Sequence, residues 1–226
     1  MECISISHKT AVAGEREKFY IPEEKAADFL RRVREDAGAA QCVVLSTCNR
    51  TEVYVQGEEN RFRQLEEVLA KISGSTGEQI RKLVRRYQGR KALRHLFRVV
   101  CGMESMVIGE DQILGQVRDA YGYAKEAGYT GYESNSVFQA ALACAKRVKT
   151  ETMISRTTVS VATLAANEVM RLPMPCKTVL LMGGSGKMGG IILKNLLSKK
   201  DIRVIAKERS HNGIFQSSIM QVENVD

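Results

Sequence analysis

The sequence predicts an α+β domain over residues 1–150, followed by a partial α/β domain of the Rossmann type over residues 176–226. Three observations lead to this fold class. Short strand-like runs alternate with amphipathic helical segments up to Gly89, helical periodicity dominates after it, and a glycine-rich turn near the end of the chain lies between two apolar runs. Residues 151–175 are predicted to connect the two domains, because prolines at their end interrupt the helical pattern.

The first part of the chain alternates strands and helices in the order βαββαβ. Apolar or alternating runs predict the strands, and apolar residues three and four apart predict the helices. The predicted strands cover residues 3–7, 41–46, 51–56 and 82–87, and the predicted helices cover residues 23–37 and 60–73, the second of which ends at Gly74. This order is typical of a ferredoxin-like split βαβ unit. It predicts that the sequence TCNR, residues 47–50, is the hairpin turn between the second and third strands.

Helical periodicity continues after Gly89. The predicted helices cover residues 90–101, 111–127, 134–150 and 157–171. The sequence Leu172-Pro173-Met174-Pro175 follows them, and its two prolines indicate a boundary, since proline cannot continue a helix.

The composition indicates a globular protein of the cytoplasm. Of the 226 residues, 44% are hydrophobic and 27% are charged. No 18 apolar residues run together, and the N-terminus lacks a basic segment followed by an apolar one, so neither a membrane span nor a secretory signal is predicted. The six cysteines form no C-x-x-C pair, which disfavours a zinc site and a disulfide framework; no metal site is predicted.

The charge balance is basic. A net charge of +8 and a pI near 9.2 suit an acidic partner such as RNA, although many cytosolic enzymes are basic for unrelated reasons.

A strand, a glycine-rich turn, a helix and a second strand are predicted over residues 178–183, 184–189, 187–199 and 202–206. Glycines at 184, 186 and 189 suit a tight turn, a close backbone approach to a pyrophosphate and close packing of the helix on the strand. The N–H groups at the helix start suit the phosphates. A turn without a chemical role is the alternative.

The residues after the second strand leave the choice of dinucleotide open. Glu208 lies 19 positions beyond Gly189, where an acidic side chain suits the ribose 2′-hydroxyl of NAD. Its neighbours Lys207, Arg209 and Ser210 instead suit the 2′-phosphate of NADP.

One cysteine stands at a chemically distinctive position. Cys48 lies in the predicted hairpin turn, with Arg50 two residues later. A nearby cation favours the thiolate, which is the nucleophilic form of cysteine. A half-buried structural thiol is the alternative, because free cysteines are usually buried.

Four stretches together resemble the glutamyl-tRNA reductase family. They are SHKTAVAGERE (7–17), LSTCNRTEVY (45–54), HLFRVVCGMESMVIGEDQILGQVRDAY (95–121) and KRVKTET (146–152). The resemblance implies the first step of tetrapyrrole synthesis: a thiolate attacks the ester of glutamyl-tRNA, and hydride from NADPH reduces the resulting thioester to glutamate-1-semialdehyde. The expected partners are glutamyl-tRNA(Glu) and the aminomutase that takes the semialdehyde.

The resemblance also implies roles for particular residues. The catalytic residues are Cys48, as nucleophile, and His95, which would protonate the leaving oxygen or polarise the ester. The substrate-binding residues are Thr47, Asn49, Arg50, Ser105, Glu110, Asp111, Gln112 and Gln116. The cofactor-binding residues are Gly184, Ser185, Gly186, Lys187, Met188, Gly189 and Arg209.

The glutamyl group of the substrate has an ammonium and a side-chain carboxylate, and these charges suggest which residues bind which group. Glu110 or Asp111 would pair the substrate ammonium, and Arg50 would grip the side-chain carboxylate with two hydrogen bonds. The sequence does not assign the two acidic residues individually, and one of them is a candidate to cap the helix that begins near residue 111.

The chain departs from the family pattern near its end. Family members continue through further strands of the dinucleotide domain and a helical dimerisation domain, whereas this sequence stops at Asp226. We therefore expect a monomer, either a piece of a longer enzyme or a natural short form. The alternative function is a non-reducing module that binds or hydrolyses glutamyl-tRNA, or senses heme or a partner.

Overall fold

The chain divides into two units, Met1–Thr158 and Val159–Asp226. The structure is a computed structural model, and it describes residues 1–57, 60–152, 154, 161–174, 177–199, 202–207 and 219–223. The connecting segment 151–175 stays a prediction, since residues 153, 155–160 and 175 lie outside the described residues.

The first unit is built on an antiparallel sheet of four strands. The strands are β1 (Glu2–Ser7), β2 (Gln41–Thr47), β3 (Arg50–Gln56) and β4 (Arg85–Gln88). Their order in the sheet is β2-β3-β1-β4, with every neighbouring pair antiparallel. This is the arrangement expected of a split βαβ unit, so the predicted order of strands is confirmed. The predicted bounds of the fourth strand were wrong at its start, because residues 82 and 83 end a helix and the strand begins at Arg85.

Helices cover this sheet. They are α1 (Ala13–Arg16) with a following 3-10 turn (Glu17–Phe19), α2 (Glu23–Glu35), α3 (Phe62–Ser73), α4 (Gly77–Leu83), α5 (Arg90–Val100), α6 (Gln112–Glu126) and α7 (Tyr132–Thr152). As predicted, α3 ends at Gly74, whose φ of 64° is left-handed. The helices α1 and α4 were not predicted; α4 begins at a capping box formed by Thr76 and Gln79.

The core of the first unit lies on both faces of the sheet. All six residues of β1 are buried. The helices α2 and α3 contribute Phe29, Leu30, Leu65 and Leu69, while α5, α6 and α7 contribute Leu96, Val99, Val117 and Phe138. The first unit is therefore an α+β fold in which the sheet is sandwiched between helices.

The second unit contains a strand–turn–helix–strand motif. Its strands β5 (Lys177–Met182) and β6 (Ile202–Lys207) pair in parallel and are joined through α9 (Lys187–Leu197). Helix α8 (Val161–Arg171) packs on α9, and the first four residues of its predicted range lie outside the described residues. A further strand, β7 (Ile219–Glu223), runs antiparallel to β6 and was not predicted.

None of the helices in the described part of the chain combines the length and the apolar character that crossing a bilayer requires.

Candidate active site

The hairpin turn between β2 and β3 presents Cys48 to solvent. Thr47 and Arg50 face each other as the last pair of the ladder. The hydroxyl of Thr47 accepts hydrogen bonds of 3.2 Å from the backbone N–H groups of Asn49 and Arg50, which fixes the turn. Asn49 is further held through its carbonyl by the N–H of His8, at 3.0 Å. Cys48 thus lies at the exposed tip of a turn whose backbone is tied on both sides.

The other thiols that the structure describes lie in different surroundings. Cys3, Cys42 and Cys101 are buried, and Cys144 is half-buried. Burial raises the pKa of Cys3 well above its ordinary value and that of Cys42 to about 12, so both stay protonated at neutral pH. Among the described cysteines, Cys48 is the exposed one. Its position excludes the alternative of a buried structural thiol.

A cation reaches the backbone of Cys48 from α1. The Nε of Arg16 donates to the carbonyl of Cys48 at 3.4 Å, and its Nη1 donates to the carbonyl of Ala11 at 2.8 Å. The following 3-10 turn is fastened to β3, since the hydroxyl of Thr51 donates to the carbonyl of Phe19 at 2.9 Å. The sheet therefore positions Arg16 beside the turn.

A buried carboxylate organises the sheet behind the turn. Glu52 is fully buried in β3 and accepts hydrogen bonds from Ser5 (2.8 Å), Arg50 (3.1 Å) and Tyr54 (2.5 Å). The Nε2 of His95 lies 2.9 Å from the same carboxylate. Burial opposes ionisation of Glu52, but the hydrogen bond from His95 and the charge of Arg50 outweigh it and lower its pKa to about 2. Glu52 is therefore an anion at neutral pH.

His95 belongs to this buried network. Its ring stacks on Tyr87, with the centroids 4.0 Å apart, and only 7% of its side chain is exposed. Its Nε2 is directed to Glu52, so the structure links it to Cys48 through Glu52, Arg50 and the turn. This geometry suits a positioning role; the predicted proton transfer to the leaving group stays a prediction.

Arg50 is occupied by the protein itself. Its guanidinium is 2% exposed, donates to Glu52, and also donates to the backbone carbonyl of Glu104. The expected two-bond grip on a substrate carboxylate is therefore not available to Arg50 in this conformation. Its observed task is to join the Cys48 turn to the loop that contains Glu104.

That loop closes on itself at two glycines. The N–H of Gly109 donates to the carbonyl of Gly102 at 3.0 Å. A Cβ on Gly102 would lie 3.1 Å from the backbone of Gly109, and the φ of Gly102 is 76°, so this position favours glycine. Ser105 lies half-buried within the closed loop.

The carboxylate of Glu104 forms ion pairs with two side chains at the edge of the site. It pairs with Lys9 and, at 2.5 Å, with Arg98. Although burial opposes ionisation, the hydrogen bonds from Lys9 and Arg98 lower the pKa of Glu104. These contacts bring the segment after β1, α5 and the loop together beside the Cys48 turn.

The remaining predicted substrate residues begin α6. Asp111 occupies the N-cap position, but its side chain makes no capping hydrogen bond. Instead, Lys149 of α7 donates to its carboxylate at 2.6 Å and to the backbone carbonyl of Glu110 at 3.4 Å. Gln112 follows in the first turn and is half-buried. Asp111 is thus paired with a lysine, and no capping role is seen for it.

Gln116 faces a separate cavity. It lines a cavity of about 510 Å³ between α2, β2 and α6, together with Ser46, Tyr20 and Tyr123. Ser46 precedes Thr47, so this cavity lies just behind the turn. Gln116 and Ser46 line the same cavity, and the backbone of β2 leads from Ser46 to the turn of Cys48.

Sequence reasoning missed three polar residues of this site. Glu52 follows Cys48 by four positions, Glu104 precedes Ser105, and His8 lies in the first family-like stretch. Each of the three lies within one of the four stretches that resemble the family, and this location was the signal that the sequence offered. Among the described residues, Nδ1 of His8 is a buried side-chain nitrogen without a hydrogen-bond partner. Burial first, and then the charges of nearby cations, lower the pKa of His8, so its imidazole is neutral at pH 7.

The glycine turn of the second unit is closely packed. Helix α9 begins after Gly186, and a Cβ on Gly189 would lie 2.0 Å from the carbonyl oxygen of Gly183. A Cβ on Gly184 would lie 3.1 Å from Ala206 of the parallel strand. The tight turn and the close packing of helix on turn match the tasks predicted for these glycines. Arg209, Glu208 and the side chain of Lys187 lie outside the described residues.

Comparisons with known proteins agree on one family. Residues 4–152 match the family model described as glutamyl-tRNAGlu reductase, N-terminal domain. The chain is 42% identical over 92% of its length to a glutamyl-tRNA reductase of Desulforudis audaxviator, and 36% identical over 92% to one of Moorella thermoacetica. The solved glutamyl-tRNA reductase from Methanopyrus kandleri superposes with a TM-score of 0.64 at 33% identity, over 93% of this chain and 49% of that one. The chain spans 47% and 48% of the two curated relatives.

Proposed function

The chain belongs to the glutamyl-tRNA reductase family, and we propose that its first unit performs the acyl-transfer step of that reaction with Cys48 as nucleophile. The observation that supports this most is the exposed thiol on a turn that Thr47, Asn49 and Arg50 hold in place. A nucleophile held by a rigid backbone loses little freedom when the substrate binds, which lowers the barrier.

The proposed step exchanges one acyl bond for another. The thiolate of Cys48 attacks the carbonyl carbon of the glutamyl ester, a tetrahedral oxyanion forms, and the carbon–oxygen bond to the ribose breaks. The tRNA leaves with a protonated oxygen, and glutamate stays on Cys48 as a thioester. Because Cys48 is exposed, its thiol proton leaves to solvent when the thiolate forms.

The buried network supports this step from behind. Glu52 is held as an anion by Arg50 and His95, and Arg50 also fastens the loop of Glu104. We propose that this network fixes the distance between Cys48 and the loop residues Ser105 and Glu110 that recognise the glutamyl group. Arg50 is engaged with Glu52 and the carbonyl of Glu104, so we do not assign it the substrate carboxylate.

We propose that the second unit binds NADPH in a Rossmann-type manner, with the turn from Gly184 to Gly189 around the pyrophosphate. The parallel pair β5–β6, the tight packing at Gly189 and the start of α9 at the glycine turn support this fit. When bound, NADPH supplies the hydride that reduces the thioester to glutamate-1-semialdehyde, the first committed compound of tetrapyrrole synthesis.

The experiment measures the transfer of labelled glutamate to the protein and does not require a complete catalytic cycle. The chain is mixed with tRNA that carries labelled glutamate, the reaction is quenched with acid, and label on the protein is counted. We expect label on the wild type and on Cys144→Ser, and at least a thousandfold less on Cys48→Ser, because a hydroxyl is a far weaker nucleophile at neutral pH.

The other outcomes separate the alternatives. Label retained on Cys48→Ser would remove Cys48 from the nucleophile role. Binding of glutamyl-tRNA by the wild type without any label or released tRNA would favour a non-reducing binding module.

A further inference from the structure

The positive charge of this chain is concentrated in one segment. Residues 79–103 contain eight of the 34 lysines and arginines and none of the 26 aspartates and glutamates. The other 26 basic residues are balanced by the 26 acidic ones, so this segment accounts for the whole net charge of +8. Such a concentration on one part of a fold creates a local field that attracts an anionic partner.

The segment exposes its charges along one face of α5. Arg90, Lys91 and Arg94 are exposed, and at about 100° per residue they fall within an arc of about 100° around the helix. The opposite face contains Ala92 and Leu96, which are fully buried in the core. The three cations therefore point away from the sheet.

Strand β4 adds a fourth charge to the same surface. Side chains alternate between the faces of a strand, so Arg85 shares a face with Tyr87, whereas Arg86 points to the other face. Tyr87 stacks on His95 of α5, and Arg86 pairs with Glu66 of α3. Arg85 therefore lies on the α5 side of the sheet, and we call Arg85, Arg90, Lys91 and Arg94 the basic stripe.

The described residues provide no counter-charge for the basic stripe. Of its neighbours, Arg86 is paired with Glu66, Arg98 with Glu104 and Lys82 with Glu78. In the parts of the chain that the structure describes, no carboxylate lies within ion-pair distance of the four stripe residues. Like charges that share a surface repel each other, and a polyanion bound there would relieve that repulsion.

The stripe and the candidate site share α5. The helix contains His95, which is bound to Glu52, and Arg98, which is bound to Glu104 beside the Cys48 turn. Within the stripe, the helix rises by about 6 Å from Arg90 to Arg94. This length allows the helix to contact more than one phosphate of a nucleic-acid strand.

We propose that the basic stripe binds the phosphodiester backbone of the tRNA whose aminoacyl end reacts at Cys48. This inference rests on the proposed function. Three of the four stripe residues are arginines, whose planar guanidinium forms paired hydrogen bonds with phosphate oxygens. Contacts to the backbone carry no base information, so the stripe holds and orients the RNA without selecting its sequence.

The test removes the charge at three positions and compares the result with a matched loss elsewhere. The stripe variant is Arg90→Gln/Lys91→Gln/Arg94→Gln. The control is Lys25→Gln/Arg63→Gln/Lys125→Gln, which removes three exposed positive charges from α2, α3 and α6. Fluorescence anisotropy with uncharged tRNA measures Kd between 50 and 200 mM salt.

We expect the stripe variant to bind tRNA at least tenfold more weakly, with a salt slope that is smaller by about 2, since each lost phosphate contact removes ~0.7 from the slope. The control should change Kd less than about threefold. The variant Arg90→Lys/Arg94→Lys, which keeps the charge, should retain most of the affinity. Equal losses in the stripe variant and the control would overturn the proposal.

A second measurement separates this inference from the proposed function. Acylation of Cys48 by a small activated ester of glutamate offers no phosphates, so it tests the nucleophile without the stripe. We expect the stripe variant to raise KM for glutamyl-tRNA and to leave acylation by the small ester as in the wild type. Loss of both in parallel would make the stripe a structural feature and overturn the proposal. Failure of the wild type with the small ester would count against the proposed function, while the tRNA affinities would still decide the stripe.

Discussion

The two sheets of this chain are stabilised in different ways. In the first, all six residues of β1 are buried, and the buried side chains of Ser5 and His95 are bound to Glu52. In the second, Leu181 of β5 is buried, whereas Leu180 and Met182 are 61% and 71% exposed. The first sheet contains a buried network of side-chain bonds within a closed core, whereas the second is stabilised by a smaller apolar cluster with α8 and α9 and by tight packing at its glycine turn. Substitutions at the two candidate sites should therefore lower the stability of their units for different reasons.

The largest expected effect is the loss of the buried carboxylate. Glu52→Leu leaves the guanidinium of Arg50 buried without its anion and removes the acceptor of Ser5, Tyr54 and His95. We expect the free energy of unfolding of the first unit to fall by about 3–5 kcal/mol, the usual cost of breaking a buried ion pair. Urea denaturation followed by circular dichroism measures it.

An exposed ion pair provides the control. Glu67 pairs with Arg63 at 3.1 Å on the surface of α3, with both side chains largely exposed. Glu67→Leu should cost less than about 1 kcal/mol. A loss below about 1 kcal/mol for Glu52→Leu would mean that the network is not what stabilises the first sheet.

Acid should weaken the first unit through the same residue. The pKa of Glu52 lies at about 2 in the folded chain and at its ordinary value of 4.5 in the unfolded one. The unfolded state therefore binds the proton first, and the stability that Glu52 contributes is present above pH 4.5 and is lost as the pH falls towards 2. Its full size is about 3 kcal/mol.

Comparison with a variant isolates this contribution from other carboxylates. Glu52→Gln keeps the shape of the side chain and cannot ionise. The difference in unfolding free energy between wild type and Glu52→Gln should shrink as the pH is lowered from 5 to 3. A difference that stays constant over this range would show that Glu52 is not held as an anion in the folded state.

The features that the sequence predicted are local ones. An apolar run predicted β2, alternation predicted β3 and with it the turn of Cys48, and the glycine spacing predicted the turn before α9. These patterns need no knowledge of distant residues, because the period of the side chains reports which face is covered.

The features that the sequence did not predict depend on contacts between distant residues. Glu52 reads as a polar position in an alternating strand, and its burial requires Ser5, 47 residues earlier, and His95, 43 residues later. Arg50 reads as a free cation, but the carbonyl of Glu104, 54 residues away, occupies it. The periodicity of a single segment gives no information about these pairings, because the partners lie in different segments. The family motifs marked the location of the site, and the structure was needed to show which of its charges are already neutralised.

The smallest expected effect sharpens the comparison in the second unit. Gly189→Ala places a methyl group 2.0 Å from the carbonyl oxygen of Gly183, so the turn or the start of α9 must shift. We expect a loss of about 1–3 kcal/mol in the opening free energy of β5 and β6, which is typical of overpacking. Hydrogen exchange of the amides in β5 and β6 measures it, with the amides of β1 and β3 read in the same experiment.

The neighbouring glycine is the matched control for this change. Gly190 also lies in α9, but a Cβ there would have its nearest contact at 3.8 Å, from the carbonyl oxygen of Gly184. Gly190→Ala should therefore stabilise α9 by up to about 1 kcal/mol, because alanine favours a helix more than glycine does. Opposite signs at two adjacent glycines would show that backbone clearance at 189, and not helix propensity, sets the stability of this turn. Equal effects at both positions, or a loss of protection in β1 and β3 with Gly189→Ala, would contradict the distinction between the two sheets.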